Sequence, residues 1–246
     1  MSHQPVLLVI AHGSRDPRHA ATVHALVRRV RAARPGLRVE TGFLDFNIPS
    51  VQGVLESLAA EGVREVVALP LLLTRAFHAK ADIPAVLRDA PRSLRIRQAE
   101  VLGPSPLLLT ALERRLYEAG LTPADKPSTG VVLASAGSTD PEASAVIAAI
   151  AREWRHTGWC AVRPAFASAS LPRTEDAVEQ LRALGCAKVA VAPYVLAPGF
   201  LPDRIARGAA RADVLADVLG PAPEVARLLL ERYDEARVPM LTVLGA

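Results

Sequence analysis

The stretch Ala11-His12-Gly13-Ser14-Arg15-Asp16-Pro17 has a second version later in the chain, Ser135-Ala136-Gly137-Ser138-Thr139-Asp140-Pro141. Each version closes an apolar run (PVLLVIA at 5–11, GVVLASA at 130–136) and opens a segment with helical spacing, 17–33 and 141–156. A glycine for a tight turn, a carboxylate suited to an N-cap and a proline at the first helical position together describe a strand-to-helix turn. The match continues outward: Phe43 and Pro49 with Phe166 and Pro172, Gly62 with Gly185, Pro70 with Pro193, and GPSP at 103–106 with GPAP at 220–223. The offset stays close to half the chain throughout, which is the mark of a tandem duplication.

Within each copy, strands and helices alternate. Apolar runs at 5–11, 37–44, 64–73 and 96–102 predict strands, and 17–33, 49–60, 82–89 and 106–119 predict helices. The second copy predicts strands at 130–136, 160–167, 187–197 and 213–219, and helices at 141–156, 172–184, 202–212 and 223–236. Pro17, Pro49, Pro84, Pro106, Pro141, Pro172, Pro202 and Pro223 stand at or near the helix starts, where a missing N–H costs nothing. Asp16, Asp82, Ser105 and Asp140 are the candidate N-caps. The expected fold is α/β: two duplicated βαβα-type units with parallel sheets, Rossmann- or flavodoxin-like, and a cleft between them. The expected division is 1–121 for the first repeat, 122–129 for a polar linker and 130–246 for the second repeat.

Half of the 246 residues are hydrophobic and 22% are charged, enough to bury a core and too balanced for global disorder. The two cysteines, Cys160 and Cys186, form no C-x-x-C pair and read as core thiols of a protein in the reducing cytoplasm. The first residues lack a basic n-region and read as a strand, not a signal peptide. No apolar run approaches the roughly 18 residues of a membrane span. Residues 1–123 carry 16 basic and 11 acidic side chains, against 13 and 14 in the remainder. Codon bias explains the abundance of arginine, but the basic excess of the first copy favours an anionic partner there. Nucleic acid does not fit, because the arginines are scattered and few aromatics lie between them.

In open parallel sheets, ligands bind beyond the carboxyl ends of the strands. Three reactive side chains fall there in the first copy: His12 after the first strand, Asp45 after the second and His78 after the third. The second copy is an internal control. It keeps the structural markers but has Ala136, Ser168 and Leu201 in place of the three. Joint loss against a retained scaffold favours function over packing. Two imidazoles and a carboxylate suit a divalent first-row metal and leave coordination positions open.

The segments AHGSRDP (11–17), FLDFNIPSV (43–51) and PLLLTRAFHAKADIP (70–84) together resemble the sirohydrochlorin chelatases, ATP-independent enzymes of siroheme and cobalamin biosynthesis, in their long two-repeat form. Asp45 stands where that family often has Glu, and Leu72 and Ala76 replace its usual aromatic and glycine. The resemblance implies insertion of Co²⁺ or Fe²⁺ into sirohydrochlorin, with the metal as substrate and no organic cofactor. It places the metal-handling histidines at His12 and His78 and the acidic residue at Asp45. Any of the three could accept a proton. Ser14, Arg15, Arg75 and Lys80 flank them and could bind the macrocycle's carboxylates.

His3, His19, His24 and His156 read as terminal, surface or capping residues, and Ser14 lacks the surroundings of a nucleophile. A duplicated chain can close its own cleft, so a monomer suffices. The rival readings are a tetrapyrrole or metal carrier without turnover, and phosphoryl transfer through His12. The second lacks a glycine-rich phosphate loop and leaves Asp45 idle.

Overall fold

The computed structural model describes residues 4–75 and 82–237. The first repeat contains β1 (Val6–Ala11), α1 (Pro17–Ala33), β2 (Val39–Phe43), α2 (Val51–Ala60), β3 (Glu65–Pro70), α3 (Ile83–Arg88), β4 (Arg95–Gln98) and α4 (Pro106–Glu118). The second contains β5 (Thr129–Ser135), α5 (Pro141–Arg155), β6 (Ala161–Phe166), α6 (Thr174–Ala183), β7 (Lys188–Tyr194), α7 (Phe200–Gly208), β8 (Val214–Leu215) and α8 (Pro223–Arg237). A 3₁₀ helix at Pro123–Ser128 joins them.

Each repeat forms a four-stranded parallel sheet, in the orders β2-β1-β3-β4 and β6-β5-β7-β8. The two registers correspond, with Ala11 opposite Phe43 and Ser135 opposite Phe166. The central strands are buried on both faces, as parallel sheets between helices require. In β1 the alternation assigns Leu7, Val9 and Ala11 to one core and Val6, Leu8 and Ile10 to another. Val131 and Leu133 of β5 join the first of these cores, and Val132 and Ala134 face a third. Each sheet therefore has its own outer core, and one central core spans both repeats.

The last helix of each repeat crosses to the other. Helix α8 packs on α1, β3 and β4 of the first repeat, while α4 packs on α8 and on β7 of the second. The buried Tyr233 of α8 donates to the Pro5 carbonyl at 2.8 Å. Arg34 donates to both oxygens of Asp234 at 2.8 and 2.6 Å. Arg114 of α4 pairs with the nearly buried Glu224 of α8.

The capping chemistry follows the sequence for Asp16, Ser105 and Asp140, whose side chains accept from the first turns of α1, α4 and α5. Asp82 makes no such bond, because its own backbone is already helical. Among the described residues, no helix is long and apolar enough to cross a membrane. Cys186 is buried, but Cys160 is exposed and is not the core thiol expected. Its Sγ lies 3.8 Å from that of Cys186.

Candidate active-site cleft

The strand order of the first sheet reverses at β1, between β2 and β3, which opens a crevice at their carboxyl ends. His12 follows β1 directly and lies at that crevice. Gly13 turns the chain with φ of +95°, and a Cβ there would lie 1.9 Å from the Asp45 carbonyl oxygen. Only glycine permits so close an approach between the β1 and β2 loops. The gap is bridged by Leu44 N–H to the Ala11 carbonyl at 3.0 Å and Asp45 N–H to the His12 carbonyl at 2.9 Å. A third bond runs from Ser14 N–H to Asn47 Oδ1 at 2.8 Å. These bonds set Asp45 beside His12 although 33 residues separate them in the chain.

The Asp45 carboxylate is exposed and accepts the Phe46 N–H at 2.8 Å. His12 is half-buried, with Nδ1 3.3 Å from the Gly13 carbonyl. The Ser14 hydroxyl accepts the Asp16 N–H at 3.0 Å, and Ser138 does the same for Asp140 in the second repeat. That duplication marks a turn role for both serines. Arg15 is exposed, with its guanidinium 5.1 Å above the Phe46 ring. Arg75 is exposed and paired with Glu100. His78 and Lys80 lie outside the described residues. Among the described residues, no three His, Cys, Asp or Glu side chains converge tightly enough to hold a metal ion.

A cleft of about 420 Å³ runs between the repeats, lined by His12 and His19 on one side and by Ser135, Ser138, Tyr194 and Leu201 on the other. A hollow of about 770 Å³ lies at the opposite end of the first sheet, among Arg38, Glu61, Glu65 and Arg95 near the amino ends of its strands. We place the site in the smaller space, because the switch point and His12 are there. The second repeat reproduces the loop geometry with Ala136 and Ser168 in place of His12 and Asp45. Gly137 turns with φ of +89° against the Ser168 carbonyl, and both N–H and Oγ of Ser168 donate to the Ala136 carbonyl at 2.9 Å.

His19 is not the surface residue expected from sequence. It is half-buried on the cleft wall, and its Nδ1 is sealed from solvent without a hydrogen-bond partner. Burial lowers its pKa below the ordinary 6.5, with a further push from His12 and an opposing pull from Asp16. The signal was available: Val23, Leu26, Val27 and Val30 form the buried stripe of α1, and His19 continues it one turn earlier. His24 lies off the stripe and is exposed. Phe46 was also missed. Half exposed, it stands 6.4 Å from the His12 ring on a backbone with φ of +60°. Positive φ is rare for a bulky residue and concentrates at functional loops. Tyr194, at the end of β7, lies buried on the cleft floor, and burial pushes its phenol well above the ordinary range.

Comparison with known proteins adds a family. The CbiX family model matches residues 6–119 and again 130–236, once for each repeat. The sirohydrochlorin cobaltochelatase of Priestia megaterium is 29% identical over 93% of this chain and 79% of its own length. The sirohydrochlorin ferrochelatase of Bacillus subtilis (strain 168) is 27% identical over 93% of this chain and 90% of its own. Among solved structures, SirB from Bacillus subtilis with Fe³⁺ superposes with a TM-score of 0.82 at 25% identity, covering 96% of each chain.

Proposed function

Since the chain belongs to the CbiX family, we propose that it inserts a divalent metal, Co²⁺ or Fe²⁺, into sirohydrochlorin without ATP. Relatives named for both metals, matched over most of their length, support the reaction. The observation that carries it in this chain is His12 at the switch point, opening onto an inter-repeat cleft whose second half lacks the matching ligands. We read the first repeat, 1–121, as the one that handles metal, 122–129 as the linker, and the second repeat, 130–246, as the opposite wall.

The chemistry asks for a metal held loosely enough to leave, and for two pyrrole N–H protons to be removed as the metal enters. With Nδ1 of His12 toward the Gly13 carbonyl, the Nδ1–H tautomer makes Nε2 the basic nitrogen, the one that would hold the metal. His78 is the second imidazole in this reading. Macrocycle nitrogens then replace the imidazoles one at a time, so coordination is never lost altogether. Asp45, exposed beside His12, would offset the metal's charge or accept a proton. Phe46 offers a planar face at the mouth, and Arg15, stacked over one side of that ring, offers a cation for a carboxylate of the macrocycle. Ser14, Arg75 and Lys80 complete the expected substrate contacts, and Arg75 must leave Glu100 to take part. Two thiols without a disulfide suit a reducing cytoplasm.

The test is anaerobic mixing of the protein with sirohydrochlorin and Co²⁺ or Fe²⁺, followed by the macrocycle's absorption spectrum. Metallation faster than without protein is expected. Binding of the macrocycle without acceleration would establish a carrier instead.

A further inference from the structure

Arg18 lies in the first turn of α1, and its guanidinium is held on one side by Asp16. Nε lies 3.1 and 3.0 Å from the two carboxylate oxygens, and Nη2 lies 2.6 Å from Oδ2. Asp16 is itself fixed as the N-cap, accepting the Arg18 backbone N–H at 2.9 Å. The fork is therefore oriented before any ligand arrives. Its Nη2 also lies 2.7 Å from Oδ2 of Asp203 on α7 of the other repeat.

That contact spans the rim of the cleft. His19, next to Arg18, lines one wall, and Leu201 and Pro202, just before Asp203, line the other. The Arg18 and Asp203 side chains remain 53% and 45% exposed, so water and salt screen their attraction. A well-oriented cation facing a weakly held carboxylate is an exchangeable arrangement. The Asp203 oxygen marks where a ligand's carboxylate oxygen fits, and an Asp203 released from Arg18 regains full hydration. In the second repeat Glu142 stands at the position corresponding to Arg18, so that helix start offers no cation.

We propose that Arg18 is a substrate-binding residue for a carboxylate of the incoming macrocycle, and that Asp203 occupies its guanidinium until that carboxylate takes its place. The proposal rests on the reading of the substrate as a polycarboxylate tetrapyrrole. It makes Asp203 a competitor of the substrate, and a ligand without a carboxylate at that position leaves the rim contact closed.

The two partners then have opposite effects on affinity, which a mere brace between repeats would not produce. Metal-free sirohydrochlorin is titrated into the wild-type chain, Arg18→Ala and Asp203→Asn, with the macrocycle's fluorescence as the readout. Arg18→Ala should weaken binding about tenfold, the loss of one charge-assisted bond. Asp203→Asn should tighten it roughly two- to fivefold, the range set by an exposed ion pair. In the Arg18→Ala background, Asp203→Asn should add nothing. Arg18→Ala binding within about twofold of wild type, or Asp203→Asn binding no more tightly than wild type, overturns the proposal. Failure of the wild-type chain to bind sirohydrochlorin overturns the functional reading itself and is seen before any variant is compared.

Discussion

Alanine at Gly13 and alanine at Gly137 form a matched pair of perturbations, because the duplication built the same turn twice. At Gly13, with φ of +95°, the new Cβ would lie 1.9 Å from the Asp45 carbonyl oxygen; at Gly137, with φ of +89°, it would lie 1.9 Å from that of Ser168. A methyl carbon and a carbonyl oxygen settle at about 3.3 Å, so the two loops must part by about 1.4 Å. In the first repeat this breaks the bonds from Asp45 N–H to the His12 carbonyl and from Ser14 N–H to Asn47. In the second it breaks both bonds from Ser168 to Ala136. Two hydrogen bonds at about 1 kcal/mol each and about 1 kcal/mol for a side chain in the left-handed region amount to about 3 kcal/mol at either site. For a chain of this size the expected fall in Tm is roughly 6–12 °C. Urea unfolding should show equal losses, and metallation of sirohydrochlorin, assayed well below both transitions, should not. Gly13→Ala displaces His12 from Asp45 and should cost about 100-fold in rate, while Gly137→Ala should stay within about threefold of wild type. Gly13→Ala unfolding within about 0.5 kcal/mol of wild type would refute the steric reasoning. Equal losses of activity would refute the assignment of chemistry to the first repeat.

Other outcomes follow from the same contacts. Burial raises the Glu224 carboxyl, but the bonds from Arg114 and the backbone outweigh it and hold the group below its ordinary 4.5. Bonds from Arg34 hold Asp234 below 3.8 despite its partial burial. Both favour the folded state when ionised, so their contribution is complete above those ordinary values and is lost as pH falls below them through the lowered folded-state values. The urea midpoint should drop progressively as pH falls below about 5, less steeply in Glu224→Gln; a flat profile would contradict the role of these pairs in holding α8. His19 is depressed below 6.5, so its protonation opposes folding and stability should decline as pH falls below that value. His19→Gln should remove that decline, read from thermal unfolding in metal-free buffer. Phe46→Gly and Ala169→Gly both relieve a positive φ and should each stabilise by about 0.5–1 kcal/mol. Only Phe46→Gly should weaken sirohydrochlorin binding, measured by titration, and equal binding in both variants would remove the ring from the site.

Helix α1 runs over Pro17–Ala33, the bounds that sequence predicts, because its start is local chemistry: an Asp16 cap and a proline at the first position. The sheets were legible for a different reason. Strands buried on both faces read as continuous apolar runs, and β1, β3, β5 and β7 are such strands. The edge strand β8 is shorter than the 213–219 expected, since it pairs with β7 only at Val214 and Leu215 before the chain leaves the sheet. Local pattern does not say which sheet a helix covers. The apolar stripes of α4 and α8 fit either, so the exchange of terminal helices lay beyond sequence reading. His12 and Asp45 stand out in the sequence because strand ends and the duplication mark them, and the structure sets the two side by side. Phe46 was not, because its exposure follows from a left-handed loop conformation that no neighbouring glycine signals.

The central claim is that the first repeat, through His12, makes the chain a chelatase. Anaerobic metallation of sirohydrochlorin by Co²⁺, followed by absorbance for the wild-type chain and for His12→Ala, tests it most directly. The account predicts clear acceleration by the wild-type chain over the protein-free rate and its near-complete loss in His12→Ala, with macrocycle binding retained. Acceleration that survives intact in His12→Ala, or no acceleration by the wild-type chain, would contradict it.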